Sequence, residues 1–114
     1  MRIRLLSDVH LEFLGHEAMV VPYLNQVLPE EHDDHETLLV IAGDFCCSTG
    51  LPEKWGHVAL TELLGRFDRI LYVWGNHEYY YGYYKQGSED YAARLPENLR
   101  EALEADRLTI AANT

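Results

Sequence analysis

An α/β domain built on a parallel sheet is what this sequence predicts, and three observations carry the expectation. Short apolar runs rich in Ile, Leu and Val stand at Ile3 to Leu6, Leu38 to Ala42 and Ile70 to Trp74, and each ends abruptly in polar residues. A helical pattern separates the second run from the third. The distance from one polar ending to the next is close to the roughly 30 residues of one strand-helix-strand unit. Unbroken apolar character fits strands buried on both faces, as in a parallel sheet covered by helices.

Taken in chain order, the first connection is the least regular. Val20-Val21-Pro22-Tyr23-Leu24 mixes β-branched residues with a proline, and a short helix from Pro22 to Leu28 is assigned there. The most polar stretch follows, Pro29-Glu30-Glu31-His32-Asp33-Asp34-His35-Glu36, and reads as an exposed loop. From Pro52 to Phe67, the residues Trp55, Val58, Ala59, Leu63, Leu64 and Phe67 recur at helical spacing, with Pro52 suited to a first turn. This is the crossover helix between the second and third strands. Beyond the third strand, Tyr91 to Leu95 and Pro96 to Ala105 have helical character, Pro96 opening the second piece. Leu108-Thr109-Ile110-Ala111 then supplies a fourth strand.

Composition narrows the function classes. The chain has 114 residues, 47% hydrophobic and 25% charged, which suits one soluble domain spanning 1–114. A formal net charge of −10 provides no basic stripe for extended nucleic acid. A small phosphate ester remains compatible, because bound divalent cations reverse the local potential of an acidic cleft. Cys46 and Cys47 are adjacent and form no CxxC pair, so they are expected as reduced thiols. No apolar run approaches the about 18 residues of a membrane span, and the opening apolar run meets Ser7-Asp8 too early for a signal peptide. A cytoplasmic protein without membrane partners is expected.

The chemistry gathers at strand ends. Asp8-Val9-His10 follows the first strand, Gly43-Asp44 the second and Gly75-Asn76-His77-Glu78 the third. Ligands of an open α/β sheet bind at the carboxyl edge of its strands, where successive loops enter one crevice. Asp8 and His10, two positions apart in extended chain, would project to the same side. Gly43 and Gly75 would let the backbone turn or approach closely just before a coordinating residue. Carboxylate oxygens of Asp8 and Asp44, imidazole of His10 and the amide oxygen of Asn76 form a mixed O/N set suited to Mn, Fe, Zn or similar divalent ions. Brought together without metal, Asp8 and Asp44 would repel one another.

Asp-x-His, Gly-Asp and Gly-Asn-His-Glu, in this order and each closing a hydrophobic strand, resemble the amino-terminal half of the calcineurin-like metallophosphoesterase family. The resemblance runs directly from Ile3 to about Tyr80. It implies the parallel half of a β-sandwich flanked by helices, and hydrolysis of a phosphomonoester or phosphodiester by a metal-activated hydroxide at a binuclear centre. Asp8 and His10 would bind the first metal, Asp44 would bridge both and Asn76 would bind the second. His77 would lie by the substrate and serve catalysis, stabilising the phosphoryl group or protonating the leaving oxygen. Family members continue with a further histidine and a Gly-His-x-His motif, and no histidine follows His77. The expectation is therefore a truncated domain or an incomplete half-site, with an exposed apolar sheet face and edge open to self-association.

Other residues have plainer readings. His32 and His35 sit in the acidic loop and are read as solvated; His16 as a loop histidine; His57 as helix surface; Trp74 as filler beneath the site. Tyr79-Tyr80-Tyr81-Gly82-Tyr83-Tyr84 would pack its loop or stack on a substrate base. The competing functional reading is a non-catalytic metal-binding or interaction module. A nucleotide-binding domain with a Gly-rich phosphate loop is disfavoured, since no GxGxxG or Walker sequence follows a strand.

Overall fold

A computed structural model describes residues 2–46, 55–75, 78 and 95–111. Four strands, β1 (Arg2–Leu6), β2 (Thr37–Ala42), β3 (Arg69–Val73) and β4 (Leu108–Ala111), form one sheet in the order β1-β2-β3-β4. Every neighbouring pair is parallel. Among the described residues three α-helices connect them: α1 (Val20–Val27), α2 (Trp55–Arg66) and α3 (Glu97–Glu104). The fold is thus the α/β parallel sheet flanked by helices expected from the sequence. β1, β2 and β3 each start one residue earlier than their apolar runs, and β4 starts at the expected Leu108. Leu95 lies outside α3, and the rest of the helix expected at 91–95 falls outside the described residues, as do Pro52 and the tyrosine-rich stretch. Among the described residues, no helix is long and apolar enough to cross a membrane.

Local chemistry explains the helix ends. Pro22 is the third residue of α1, inside the first turn, where its missing N–H removes no helical hydrogen bond. That lets the helix begin two residues before the expected Pro22. Pro96 caps α3 with an extended ψ of 153°. Two arginines collect carbonyls left over at helix carboxyl ends: Arg66 Nη2 donates to Leu28 O at 2.8 Å, and Arg107 Nη2 donates to Leu64 O at 2.7 Å.

One face of the sheet makes the core. Leu6, Ile41, Tyr72 and Ile110 align in register across all four strands, and Leu39, Ile70 and Leu108 form a second row; all are buried. Leu24 of α1, Leu60 and Leu63 of α2 and Leu99 of α3 complete the cluster. The opposite face carries Ile3, Leu5, Leu38, Val40, Leu71 and Val73, with Ile3 58% and Leu5 71% exposed. The expectation of strands buried on both faces is therefore corrected among the described residues. The reason lies in the strand order: consecutive right-handed crossovers bring every connecting helix to the same side, and α1, α2 and α3 pack against one another in sequence.

The acidic loop also departs from expectation. His32 and His35 are solvated, but Asp34 is buried beneath them. Its carboxylate accepts from Arg4 at 3.0 Å, Arg66 at 3.2 Å and the Glu31 amide at 3.0 Å. A buried carboxylate requires such partners, and the two guanidinium groups come from β1 and α2, far away in sequence. Burial alone would push the Asp34 carboxyl up, yet the Glu31 amide and the two guanidinium groups hold it below its ordinary value of 3.8.

A group with a lowered folded pKa stabilises the fold above its unfolded pKa, and that stabilisation is lost as pH falls through the folded value. Asp34→Asn is accordingly expected to cost about 3 kcal/mol in urea unfolding at neutral pH. The gap to wild type should close as the pH drops below 3.8. A gap that stays constant into acid would show that the charge contributes nothing.

Candidate metal centre

The loops that leave β1 and β2 run side by side. Asp8 N–H donates to Gly43 O at 3.2 Å, His10 N–H to Asp44 O at 2.9 Å and Leu11 N–H to Phe45 O at 2.8 Å. Parallel pairing is in effect carried past the strands, so Asp8 and His10 lie next to Asp44. Val9, between the two ligand candidates, turns into the core and is 4% exposed. Trp74 is buried at the end of β3, in keeping with its reading as filler.

The backbone that achieves this is unusual. Asp8, His10 and Asp44 adopt positive φ values of 56°, 53° and 52°. They are three of the four non-glycine residues with positive φ among those described. For an L-residue this left-handed region costs on the order of 1–2 kcal/mol, and Asp is among the few residues that visit it at all. The extended geometry expected for Asp8-Val9-His10 is thus corrected. With His10 at φ 53° and ψ 55°, the chain turns sharply into a short 3-10 helix, Leu11–Phe13. Asp8 and His10 converge through that turn, with His10 Nε2 3.8 Å from Asp8 Oδ1.

One ligand atom from each of Asp8, His10 and Asp44 lies within 4.8 Å of the others. Two carboxylates and an imidazole at this spacing fit a hard or borderline divalent cation, and a cation there would remove the repulsion between Asp8 and Asp44. The side chains are reachable from solvent: Asp8 is 67% exposed and His10 28%. Phe13 lies against the His10 ring, with centroids 5.7 Å apart. Asn76 and His77, the other two predicted site residues, lie outside the described residues.

The β2 and β3 loops meet through glycine. Gly43 has φ +80°, and a Cβ there would come within 3.0 Å of Gly75 Cα. A Cβ on Gly75 would stand 2.7 Å from Asp44 Oδ1 and 2.9 Å from Asp44 N. Both glycines thus serve close approach, as expected, and the atom displaced would be the candidate ligand itself.

Sequence reasoning gave no role to Glu78, which is fully buried beneath this junction. Its Oε1 accepts from the amides of Asp44 at 2.9 Å and Gly75 at 2.7 Å. Its Oε2 accepts from the amides of Phe45 at 2.8 Å and Cys46 at 3.1 Å, and from Tyr72 Oη at 2.5 Å. Burial first, then the negative charge that Cys46 and Glu78 would carry, push the Tyr72 phenol well above its usual pKa, so it remains a donor. Cys46 is a buried thiol 3.8 Å from Tyr72 Oη, as its plain reading held. A carboxylate three residues beyond a strand-ending glycine was the available signal. His16 is exposed and its Nδ1 accepts the Ala18 amide at 3.1 Å, a local cap on the 3-10 turn Glu17–Met19.

Gly75→Ala places a methyl group against backbone as well as against Asp44 Oδ1, so side-chain rotation cannot relieve it. Overpacking of this kind costs about 1–3 kcal/mol. The Mn2+ affinity should fall about tenfold or more, as when a ligand's support is removed. Calorimetric titration that returned the wild-type affinity would disprove the tight approach.

No individual curated protein and no solved structure matches this chain. The family model described as calcineurin-like phosphoesterase matches residues 1–112. With a parallel sheet whose carboxyl edge gathers Asp8, His10 and Asp44, that match covers nearly the whole sequence, and the chain belongs to the calcineurin-like phosphoesterase family.

Proposed function

We propose that the protein is a metal-dependent phosphoesterase, hydrolysing a phosphomonoester or phosphodiester at a centre for two divalent ions. The observation that carries this reading is the convergence of Asp8, His10 and Asp44 donor atoms within 4.8 Å, in a chain of the phosphoesterase family. Asp8 and His10 would hold the first ion, Asp44 would be shared by both and Asn76 would hold the second. When bound, the ions would draw in phosphate oxygens and lower the pKa of a water toward about 7, supplying a nucleophile at neutral pH.

The chain's own residues do the rest. Asp8 and Asp44 bring negative charge that makes the site empty of affinity for phosphate until cations compensate it. His10, held by its left-handed turn, offers Nε2 on the Asp8 side. His77 gives a proton to the leaving oxygen, a role suited to imidazole because its ordinary pKa of about 6.5 lies near neutrality. The substrate is a small ester and the protein works in the cytoplasm; a net charge of −10 argues against tracking an extended nucleic acid.

Hydrolysis of p-nitrophenyl phosphate and bis(p-nitrophenyl) phosphate, with and without Mn2+, tests the proposal. Turnover should require the ion and should fall more than about 100-fold in Asp44→Asn, a loss of several kcal/mol of transition-state stabilisation. Equal rates in wild type and Asp44→Asn would defeat the reading. Mn2+ binding without turnover of either ester would favour a non-catalytic metal-binding module.

A further inference from the structure

The Glu78 carboxylate sits on no predicted ligand list, yet it touches both loops that frame the metal centre. It holds three successive amides, Asp44, Phe45 and Cys46, on the β2 side and the Gly75 amide on the β3 side. Consecutive N–H groups turned toward one anion form a nest, here filled by the protein itself. We propose that Glu78 is a positioning residue for the metal centre, aiming the Asp44 carboxylate by fixing the amides of Asp44 and Gly75 on the same oxygen.

Two features of the geometry support this. Asp44 holds a left-handed backbone at φ 52°, a conformation that persists only where its surroundings over-determine it. The Asp44 amide bonded to Glu78 Oε1 and the Asp44 carbonyl bonded to His10 N–H fix the residue from both sides. Second, all five partners of the Glu78 side chain among the described residues are donors, so both its oxygens must accept. Glutamine has the same length but replaces one oxygen by an NH2 group. Whichever way that amide turned, at least two backbone N–H groups would face a donor instead of an acceptor. The carboxylate is therefore required for its chemistry, beyond the volume it fills, and Tyr72 orients it from the floor of the site.

The inference rests on the metal-centre reading above. Mn2+ affinity, read from loss of the free-ion electron paramagnetic resonance signal, tests both with separate outcomes. Glu78→Gln is expected to bind Mn2+ about 10- to 100-fold more weakly than wild type. Leu63→Ala, which opens the core away from the site, should lose stability and keep wild-type affinity, so weakened binding is not a general result of a loosened fold. If wild type fails to bind, or Asp44→Asn binds equally well, the metal-centre reading falls and takes this proposal with it. If those controls behave and Glu78→Gln still binds like wild type, the positioning role alone is overturned. Should Glu78→Gln not fold, hydrogen exchange in the wild-type chain decides. The amides of Asp44, Phe45, Cys46 and Gly75 should be protected although they lie in loops, and exchange at open-loop rates would overturn the proposal.

Discussion

The β2 and β3 loops lie so close together that no methyl group can stand between them, and a single buried side chain collects the amides of both. Contact between Gly43 and Gly75 sets the distance, while Glu78 sets the direction. Backbone amides taken out of water need acceptors. In these two loops no strand partner can supply them, so the carboxylate replaces the missing sheet edge. The alignment of Asp44 with Asp8 and His10 follows from that junction, because the β1 loop hydrogen-bonds to the same Gly43-Asp44-Phe45 segment.

At the other end of the strands a second buried carboxylate does related work with different partners. Asp34 is met by Arg4 and Arg66, joining β1, the loop before β2 and the end of α2. Charge neutralisation by guanidinium makes that end a closed anchor. At the carboxyl edge, by contrast, Asp8 and Asp44 come together with the His10 imidazole, their donor atoms within 4.8 Å of one another. Stability is thus concentrated at the amino-terminal edge and in the apolar rows between, while the carboxyl edge gathers the carboxylates and imidazole that suit a cation.

The architecture was legible because its signals are local. Runs such as Thr37–Ala42 and Arg69–Val73 announce strands by their branched apolar residues, and the polar residues that end them announce the edge where a site can form. Asp8, His10 and Asp44 were found that way, and they do converge. What could not be read depends on contacts between residues distant in sequence. Asp34 looked like one more acid in a solvated loop until Arg4 and Arg66 arrived from elsewhere. Glu78 looked like the tail of a motif, because its partners are backbone amides, which leave no trace in residue identity. The left-handed turns at Asp8 and His10 escaped for a related reason: nothing at those positions resembles a glycine. The bare face carrying Ile3 and Leu5 shows the limit of apolar runs as evidence, since hydrophobic residues on both sides of a strand do not reveal which side a helix covers.

Those left-handed turns carry an implication for any effort to make the protein more robust. At Asp8, His10 and Asp44 glycine would adopt the same backbone with less strain. Each such exchange would also delete a donor atom from the cluster. Screening for heat resistance alone would then draw changes to the three positions whose donor atoms make up the candidate metal site. Gains in robustness are better sought on surfaces remote from the turns, where relief of strain and loss of ligand are not the same event.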